Sequence, residues 1–356
     1  MNAAAAGTPP LQPAAARAPT VTLAHGAGGR AMRALIERTI LPAFSNPLLA
    51  PLEDQARLSI ADLAAYGDRL TFTTDSYVVT PLTFPGGDIG KLAVFGTAND
   101  LAVSGARPLY LSCGLVIEEG LALDELARIV QSMGRASHEA GVAIVTGDTK
   151  VVERGAADRL FINTAGIGVM PAGVNPSAAR ARPGDAVLVN GTLGDHGVAI
   201  LLARNELALD APVLSDCQPL YSLVAAMLAA CNDIHCMRDA TRGGLATVLN
   251  EFAASSRVGI RLREAALPFN ETVRGACEIL GLDPLYLANE GKLVAVVPGP
   301  HAGAVLAAMR AHPAGRHAAI IGEVCAEPAG NVILATAIGG DRVVDMLAGE
   351  QLPRIC

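Results

Sequence analysis

The chain contains no tryptophan, only 3% of its 356 residues are aromatic, and its formal net charge is −7. A protein that binds nucleic acid usually presents a basic surface, often with aromatic side chains on which bases stack. This composition therefore argues against nucleic acid as a partner. Lysine is also scarce, since it occurs only at positions 91, 150 and 292 among 27 basic residues.

The chain also lacks the cysteine spacing of a redox centre. Its seven cysteines are an odd number, and no two of them form a CxxC pair, which disfavours a thiol–disulfide protein. Cysteines within apolar segments, such as Cys113 in LYLSCGLVI, are interpreted as small core residues. Cys231 and Cys236 are too isolated to predict a zinc site. A reduced, cytoplasmic setting is expected.

No apolar run is long enough to cross a bilayer, so a soluble protein without a membrane partner is expected. The first 20 residues are rich in alanine and proline but lack the continuous apolar core of a signal peptide. Residues 1–20 are therefore predicted to be a disordered extension. With 51% hydrophobic residues, the rest of the chain is long enough for two globular domains.

The predicted fold class is α+β (mixed α/β), with an N-terminal domain over residues 21–170. VTLA (Val21–Ala24) predicts a strand, and HGAGGR predicts a glycine loop that leads into a helix. A loop of this kind can bind an anion on free backbone N–H groups. Further strands are predicted at 70–74, 109–116, 142–146 and 161–169. One face of an intervening helix is apolar: Leu126, Ile129, Val130 and Met133.

Residues 171–185 are rich in proline, glycine and small residues and form the predicted linker. A second α/β domain of similar size is predicted over 186–345. It begins with the strand AVLV and the loop GTLGDHG, and it includes a helix in RDATRGGLATVLNEF. Its later strands are predicted at 293–297, 318–321 and 332–334.

The chain ends in QLPRIC, with Cys356 as its last residue. Pro353 cannot donate a backbone hydrogen bond and restrains the residue before it, so these residues are not expected to complete a helix. Because chain ends are poorly ordered unless something ties them down, residues 346–356 are predicted to form a mobile, solvated arm outside both domain cores. Such an arm can carry its thiol to a pocket. The competing interpretation is a terminal cysteine without function.

Four aspartates lie beside glycine-rich segments at predicted element ends: Asp75, Asp100, Asp148 and Asp239. Taken singly, each is more simply explained as a helix cap or a turn residue. Taken together, they are typical of a magnesium–nucleotide site, because Mg²⁺ is held by carboxylates together with substrate phosphates. Glycine neighbours let phosphates approach the backbone.

Lys150 lies in TGDTKVV, where a desolvated lysine neutralises a phosphate or moves a proton. That functional interpretation is favoured for Lys150 over a solvated surface lysine. For Lys91 and Lys292 neither interpretation is favoured. His25 and His196 each adjoin a glycine, and each either orients phosphate or substrate or serves as a hydrogen-bonded structural residue.

Several of these segments together resemble one protein family. HGAGGR, TTDSYVVTPLTFPGGDIGKLAVFGTANDLAVSGARP, TGDTKVV, RDATRGGLATVLNE, NEGK and the terminal PRIC are similar, in order, to the HypE family of hydrogenase maturation factors, the carbamoyl dehydratases. The likeness extends from about residue 21 to the end, so only the extension departs from it. The family belongs to the ATP-using superfamily of aminoimidazole ribonucleotide synthetase, selenophosphate synthetase and thiamine-monophosphate kinase.

The resemblance implies that Cys356 accepts a carbamoyl group on sulfur from the carbamoyltransferase HypF. The chain then dehydrates the thiocarboxamide to a thiocyanate with ATP, and the cyanide passes to iron on a HypC–HypD scaffold complex for the NiFe-hydrogenase centre. A homodimer is implied, in which the N-terminal domains build a joint β-barrel. The tail must be reachable for loading and lodged inside for dehydration, so two states are expected.

The resemblance also implies roles for particular residues. The magnesium ligands are matched by three aspartates: Asp75, Asp100 and Asp239. Cys356 is the reacting thiol, and Lys150 or Glu290 removes the amide protons, with no basis in the sequence for choosing between them. The ATP contacts are assigned to the glycine, aspartate and neighbouring motifs: His25, Gly28, Gly29, Asp54, Lys91, Asn99, Asp148 and Thr149.

Two other functions stay open at this point. A kinase or synthetase of the same superfamily, acting on a free small molecule, needs the same aspartate and glycine motifs but no terminal cysteine. A non-enzymatic thiol carrier or assembly scaffold needs Cys356 and binds nucleotide only for structure. Repeated rather than stoichiometric ATP turnover on a carbamoylated tail separates the enzyme from the carrier.

Overall fold

The computed structural model describes residues 18–207, 212–347, 349, 352 and 354–356. Residues 1–17 of the predicted extension, and Pro353 of the tail, lie outside these ranges. No helix within the described ranges is long and apolar enough to span a membrane.

Helices and strands occur in both halves of the described chain. The helices are α1 (Arg30–Leu35), α2 (Leu41–Phe44), α3 (Ile60–Ala64), α4 (Ile89–Val103), α5 (Leu123–Ala140), α6 (Asp195–Ala203), α7 (Tyr221–Ala230), α8 (Gly244–Ser256), α9 (Glu271–Leu280) and α10 (Ala302–Ala311). The strands are β1 (Arg69–Tyr77), β2 (Thr83–Phe84), β3 (Gly87–Asp88), β4 (Arg107–Glu118), β5 (Ala143–Val152), β6 (Leu160–Met170), β7 (Ala186–Val189), β8 (Cys236–Asp239), β9 (Gly259–Arg263), β10 (Leu293–Val297), β11 (Ala319–Cys325), β12 (Val332–Ala335) and β13 (Asp341–Val343). A π-helical turn, Ile36–Ile40, joins α1 to α2.

The N-terminal half is built on a four-stranded mixed sheet in the order β1-β6-β4-β5. β6 pairs antiparallel with β1 and β4, whereas β4 and β5 are parallel and are connected by α5. A parallel pair requires such a crossover connection. The predicted apolar face of α5 is confirmed, because all four of its residues are buried in the core beneath the sheet: Leu126, Ile129, Val130 and Met133.

The C-terminal half contains a seven-stranded sheet in the order β13-β12-β9-β11-β7-β10-β8. Val187 and Val189 of β7 pack with α8 on one face, while Leu188 packs with α7 and α10 on the other. Helices therefore cover both faces of the central strands. This explains why β10, the run LVAVV, is apolar and buried at every residue. The prediction of that strand is confirmed at both ends.

α4 lies where the two halves meet. Nearly all its residues are buried, with Lys91 and Asp100 partly exposed, and a helix that is apolar all round is expected in an interior. Asn99 of α4 accepts a hydrogen bond from the Leu220 N–H at 2.8 Å and donates one to the Gln218 carbonyl at 3.0 Å. Asn99 thus joins the N-terminal half to the segment that precedes α7.

Two local predictions are wrong. The predicted strand VTLA does not form, since its second half is part of a 3₁₀ turn, Leu23–Gly26. The turn arises because the His25 ring accepts a hydrogen bond from the Thr22 N–H at 3.0 Å and tightens the chain. Asp75 and Asp148 are predicted to follow strands, but both lie inside them. β1 and β5 continue past these residues because their backbone partners on β6 and β4 continue as well.

The tail is docked, whereas the sequence predicts a solvated arm outside both cores. Ile355 is only 3% exposed and belongs to the core of the N-terminal half. Leu352 and Cys356 pack against the same core. The difference arises because an apolar side chain and the backbone groups around it find partners in a cleft, which the local sequence does not indicate. Two positions are expected for the tail, one accessible for loading and one inside the protein. The structure shows the tail in the inner position.

Most of the other cysteines are core residues, as predicted, and only Cys325 is half-buried. Cys113, Cys217, Cys231, Cys236 and Cys277 are buried and unpaired. Burial raises the pKa of Cys113 to about 12, so its thiol stays protonated and unreactive.

Asn99→Ala is expected to lower the free energy of unfolding by about 1–3 kcal/mol, because it leaves the buried Leu220 N–H without its acceptor. Denaturant titration measures the change. Gln55→Ala, which truncates an exposed side chain, is the control, with an expected change within about 0.5 kcal/mol. Equal unfolding midpoints for the two variants would contradict the role assigned to Asn99.

Candidate active site

The last residues of the chain lie along the segment that follows β1. The Val78 N–H donates to the Cys356 carbonyl at 3.3 Å, and the Thr80 N–H donates to the Arg354 carbonyl at 3.2 Å. An extended peptide that adds to a sheet is recognised in the same way, through its main chain. These hydrogen bonds set the register of the tail, and the register decides which side chain enters the cleft.

Side chains hold the tail as well. Arg354 forms an ion pair with Asp158, which also accepts a hydrogen bond from Thr80 Oγ1 at 3.0 Å. Arg204 donates to the Arg354 carbonyl at 2.7 Å and to the Thr80 carbonyl at 2.8 Å. Ile355 is buried between these polar contacts and the terminal thiol. The tail is therefore fixed by charge, backbone and apolar packing together.

The Cys356 sulfur lies 3.4 Å from Arg242 Nη2. Burial and the nearby charge of Glu290 raise the pKa of Cys356 to about 12, although Arg242 acts in the opposite direction. The docked thiol is therefore protonated at neutral pH. Because the thiolate is the nucleophilic form, the docked position does not favour attack on an external acyl donor. The docked position suits a Cys356 sulfur to which an acyl group is already attached.

Glu290 is buried at the same site. Its side chain is 2% exposed, and Oε1 has no hydrogen-bond partner within the described part of the chain. Burial raises the pKa of Glu290 well above its usual range, and the charges of Asp216, Asp239 and Asp75 raise it further. A carboxylate held in such surroundings binds a proton more strongly than one in water. This property suits the removal of protons from a weak acid.

Asp216 holds the loop that carries Glu290. Its carboxylate accepts hydrogen bonds from the Glu290 N–H at 3.1 Å and the Gly291 N–H at 3.2 Å, and Lys292 Nζ lies 2.9 Å from Oδ2. Burial disfavours the charge on Asp216, but Lys292 and the hydrogen bond from the Glu290 N–H outweigh burial and lower the pKa of Asp216. Lys292, for which the sequence favours no role, thus neutralises a buried carboxylate and helps to position the loop.

His196 contacts the tail directly. The residue is fully buried, with Nε2 at 2.8 Å from the Ile355 carbonyl and Nδ1 at 2.8 Å from Ser215 Oγ. A carbonyl only accepts hydrogen bonds, so Nε2 carries the proton and Nδ1 accepts from the Ser215 hydroxyl. Burial lowers the pKa of His196, which keeps the ring neutral.

The three predicted magnesium ligands come from β1, α4 and β8 and lie close enough to affect one another electrostatically. Burial, reinforced by the neighbouring aspartates, raises the pKa of Asp100 to about 6 and that of Asp239 to about 7. Asp100 accepts a hydrogen bond from Thr73 Oγ1 at 2.9 Å, and Asp75 accepts one from the Tyr77 hydroxyl at 3.2 Å. A cation would relieve the mutual repulsion of these carboxylates.

These aspartates are not arranged as a complete metal site. Among the residues that the structure describes, no three His, Cys, Asp or Glu side chains are grouped so as to hold a metal ion. Mg²⁺ commonly takes only one or two carboxylates and completes its octahedron with water and phosphate oxygens. The donor set therefore fits Mg²⁺ held jointly with a nucleotide, not a site formed by protein alone.

A cavity of about 770 Å³ lies between the N-terminal helices and β4 and β5. Four of the predicted ATP contacts line it although they are distant in sequence: Gly28, Asp54, Asp148 and Thr149. Ile36 and Phe44 supply part of an apolar wall opposite these polar groups. An apolar cavity with a few polar groups is typical of small-molecule sites.

The remaining predicted ATP contacts have different surroundings. His25 closes the 3₁₀ turn, and Gly29 precedes the first residue of α1. Lys91 Nζ donates to the Gly86 carbonyl at 3.2 Å. Asn99 is buried between the two halves. Each of these residues has a structural contact that the sequence does not reveal.

The two candidate bases are in different environments. Lys150 projects from β5 and pairs with Asp148 at 3.1 Å, with side-chain exposures of 67% and 64%. Its hydrogen bond lowers the pKa of Asp148. Glu290, in contrast, is buried and acts electrostatically on Cys356. Within one chain, the structure brings Glu290 to the thiol and leaves Lys150 on an exposed strand.

Sequence analysis missed several residues of this site. Arg242 lies in the motif RDATRGG, but one arginine among many gives no signal of its own. Asp216 lies in a segment without a motif, and Arg204 lies just beyond α6. For His196 the sequence leaves two roles open, orienting phosphate or substrate and a hydrogen-bonded structural role, and does not indicate its contact with the tail. No local pattern could have shown that these side chains meet the end of the chain.

Residues 53–170 match the family model for the N-terminal domain of AIR synthase related proteins, and residues 182–335 match the model for the C-terminal domain. A carbamoyl dehydratase HypE of Rhodobacter capsulatus is 58% identical over 94% of this chain and 98% of the relative. A carbamoyl dehydratase HypE of Escherichia coli K12 is 55% identical over 94% of this chain and 99% of the relative.

Solved structures are similar over most of the chain. Hydrogenase maturation protein HypE in complex with ATP matches with a TM-score of 0.89 and 53% identity, over 94% of this chain and 99% of that chain. A HypE–HypF complex matches with a TM-score of 0.76 and 48% identity, over 88% of this chain and 100% of that chain. The expected two-domain α+β fold is therefore confirmed, and the chain belongs to the HypE family of carbamoyl dehydratases.

Proposed function

We propose that the chain is an ATP-dependent carbamoyl dehydratase that acts on its own last residue. The substrate is S-carbamoylated Cys356, the product is the thiocyanate, and the product supplies cyanide ligands for NiFe-hydrogenase assembly. The observation that carries the proposal is the docked tail, whose sulfur lies 3.4 Å from Arg242 and is affected electrostatically by Glu290. Among the described residues, Oε1 of Glu290 has no hydrogen-bond partner. Relatives named carbamoyl dehydratase HypE, at 58% and 55% identity, support it.

The reaction removes the elements of water from an S–C(=O)–NH₂ group. The amide oxygen is a poor leaving group, so it has to be activated before the C–O bond breaks. ATP supplies the activation by phosphorylating that oxygen, which then leaves as phosphate while nitrogen loses two protons and C≡N forms. The chain itself has to hold the amide, accept protons from nitrogen and keep water away.

Glu290 is the residue proposed to accept an amide proton. It acts electrostatically on the docked Cys356, and its raised pKa makes it a strong base for a carboxylate. Within the described ranges its Oε1 has no hydrogen-bond partner. Arg242 is placed beside the sulfur to orient the carbamoyl oxygen. Lys150 is kept as the alternative base, and from its exposed strand it would act on a tail other than the one docked in this position.

We further propose the cavity beside β4 and β5 as the nucleotide site. It combines an apolar wall with polar groups at its edge, and a HypE structure has been solved in complex with ATP. The proposed Mg²⁺ ligands are the three buried or partly buried carboxylates whose pKa values are raised: Asp75, Asp100 and Asp239. The residues assigned to ATP are those named from the motifs: His25, Gly28, Gly29, Asp54, Lys91, Asn99, Asp148 and Thr149.

A homodimer is proposed through the N-terminal sheet. β1 is an edge strand, and its side chains Leu70 and Phe72 are 63% and 72% exposed. Long apolar edges of this kind are normally covered. The solved HypE–HypF complex supports HypF as the transferase partner. The HypC–HypD iron scaffold as acceptor, the joint barrel and the cytoplasmic location rest on the family resemblance alone.

The docked tail disfavours the alternatives. A kinase or synthetase for a free small molecule needs an open cleft, whereas here the chain's own last residues occupy it. A non-enzymatic carrier needs an accessible thiol but no buried base beside it. Glu290 is buried, and no hydrogen-bond partner of its Oε1 is found in the described part of the chain, which favours the enzyme over the carrier.

Cys356→Ala is expected to abolish the carbamoyl adduct seen by intact mass in the presence of carbamoyl donor, transferase and ATP. In the unmodified chain the adduct should form and lose water only with ATP. The melting temperature should change little, because only one half-buried sulfur is removed. Cys325→Ala, at another half-buried cysteine, should be fully loaded. Loading of the Cys356 variant would show that another thiol is the carrier.

Asp75→Asn, Asp100→Asn and Asp239→Asn are each expected to weaken Mg²⁺–ATP binding by about tenfold or more, because each removes an anionic ligand. Calorimetric titration measures the affinity. Metal-free ATP should bind these variants at least as well as the unmodified chain, since a repulsive charge is gone. Asp62→Asn, on exposed α3, is the control. Unchanged Mg²⁺–ATP affinity in all three variants would rule out the proposed ligands.

Glu290→Gln is expected to leave loading intact and to slow dehydration of the loaded tail by about 10²-fold or more, the usual effect of losing a general base. In the unmodified chain the rate should rise with pH as Glu290 ionises, because its pKa is raised. The Gln variant should lack that rise. Single-turnover mass analysis follows the reaction. If Lys150→Met stops dehydration and Glu290→Gln does not, Lys150 is the base.

A further inference from the structure

The Nε2–H of His196 has two acceptors within reach. It lies 2.8 Å from the Ile355 carbonyl of the docked tail and 3.9 Å from Glu290 Oε1. Oε1 is buried, and no other described group donates to it. A single N–H makes one strong hydrogen bond at a time. The tail and the carboxylate therefore compete for the same donor.

The contacts of His196 hold its ring in place but leave the Nε2–H able to reach either acceptor. Ser215 Oγ donates to Nδ1 and itself accepts from the Cys217 N–H at 3.2 Å. Phe84 packs edge-on against the ring, with centroids 5.4 Å apart. Reaching Glu290 from 3.9 Å requires a shift of about 1 Å, to an ordinary hydrogen-bond length. Such a shift does not require the Ser215 contact to break.

We propose that His196 is a positioning residue shared by the tail and Glu290: it donates to the Ile355 carbonyl while the tail is docked and to the Glu290 carboxylate once the tail leaves. Glu290 then lacks a donor only when the thiol beside it is in place. The inference rests on the proposed function in taking Glu290 as the base. The contact with the tail does not depend on that assignment.

The charges around Glu290 explain why the exchange matters. Three aspartates raise the pKa of Glu290 and one arginine lowers it: Asp216, Asp239, Asp75 and Arg242. Burying an ionised carboxylate in such surroundings is energetically unfavourable unless the carboxylate accepts a hydrogen bond. When the tail is absent from the cleft, His196 donates that hydrogen bond to Glu290. Docking of the tail withdraws that donor and makes the carboxylate more basic beside its substrate.

The contact with the tail is tested by two variants that replace the His196 ring with an amide. His196→Gln places an amide nitrogen near the position of Nε2 and keeps the donor, whereas His196→Asn places one near Nδ1 and keeps only the Ser215 contact. Alkylation of Cys356 by iodoacetamide, followed by peptide mass, should be about tenfold faster than wild type in the Asn variant and near wild type in the Gln variant. Equal rates in all three would overturn the tail contact.

The exchange itself is tested without changing His196. Ile355→Asp, in the full chain, puts a carboxylate into an apolar core and should undock the tail. With ¹⁵N-labelled histidine, the His196 Nε2–H signal should then move downfield, because hydrogen bonds to carboxylates are shorter and stronger than those to carbonyls. The downfield signal should disappear in the double variant Ile355→Asp, Glu290→Gln.

Each outcome of the second experiment decides the proposal. A signal that is unchanged on undocking, or one that stays downfield in the double variant, would overturn it. Alkylation of Cys356 reports undocking, and a rate in Ile355→Asp as slow as in wild type would overturn the assigned tail contacts. Neither experiment uses ATP or a carbamoyl donor. Failure of the dehydratase assignment would therefore be seen separately.

Discussion

The burial of the last residues of the chain between its two halves is the constraint on which the site depends. Buried backbone carbonyls need donors, and each of the last three residues has one: the Val78 N–H, the Thr80 N–H with Arg204, and the His196 ring. Ile355 adds apolar packing, so the tail is held without a covalent link. Because these hydrogen bonds are accepted by main-chain carbonyls, they fix the position of the tail without selecting particular side chains. The terminal thiol is the part of the tail that carries chemistry.

Charge distribution determines what that position can do. The cleft gathers carboxylates from β1, α4, β8 and the Glu290 loop, and burial keeps their pKa values above the usual range. These surroundings stabilise the protonated thiol of Cys356 relative to its thiolate. The site is therefore poorly suited to loading the sulfur and well suited to taking protons from a group already attached to it. We therefore expect loading and dehydration to use different positions of the tail.

The precision of the site depends on polar contacts that are buried away from the chemistry. Asn99 ties α4 to the segment before α7, and Asp216 with Lys292 holds the loop that carries Glu290. Both are buried amide or carboxylate groups with several partners, and such groups fix geometry strongly because leaving them unpaired is costly. The site therefore draws on the whole scaffold: the thiol comes from the chain end, the proposed base Glu290 from the C-terminal half, and part of the acidic cluster from the N-terminal half.

The sequence by itself determined the family, the order of the two domains, strands such as Leu293–Val297 and the importance of Cys356, because motifs and hydrophobic periodicity are properties of short segments. It named Asp75, Asp100 and Asp239 but could not bring them together. Only the tertiary structure decided that the tail is docked, that Glu290 and not Lys150 lies beside it in one chain, and that His196 faces both. These facts depend on contacts between residues far apart in sequence, and on burial that changes the proton affinity of each group, neither of which is encoded in a local pattern.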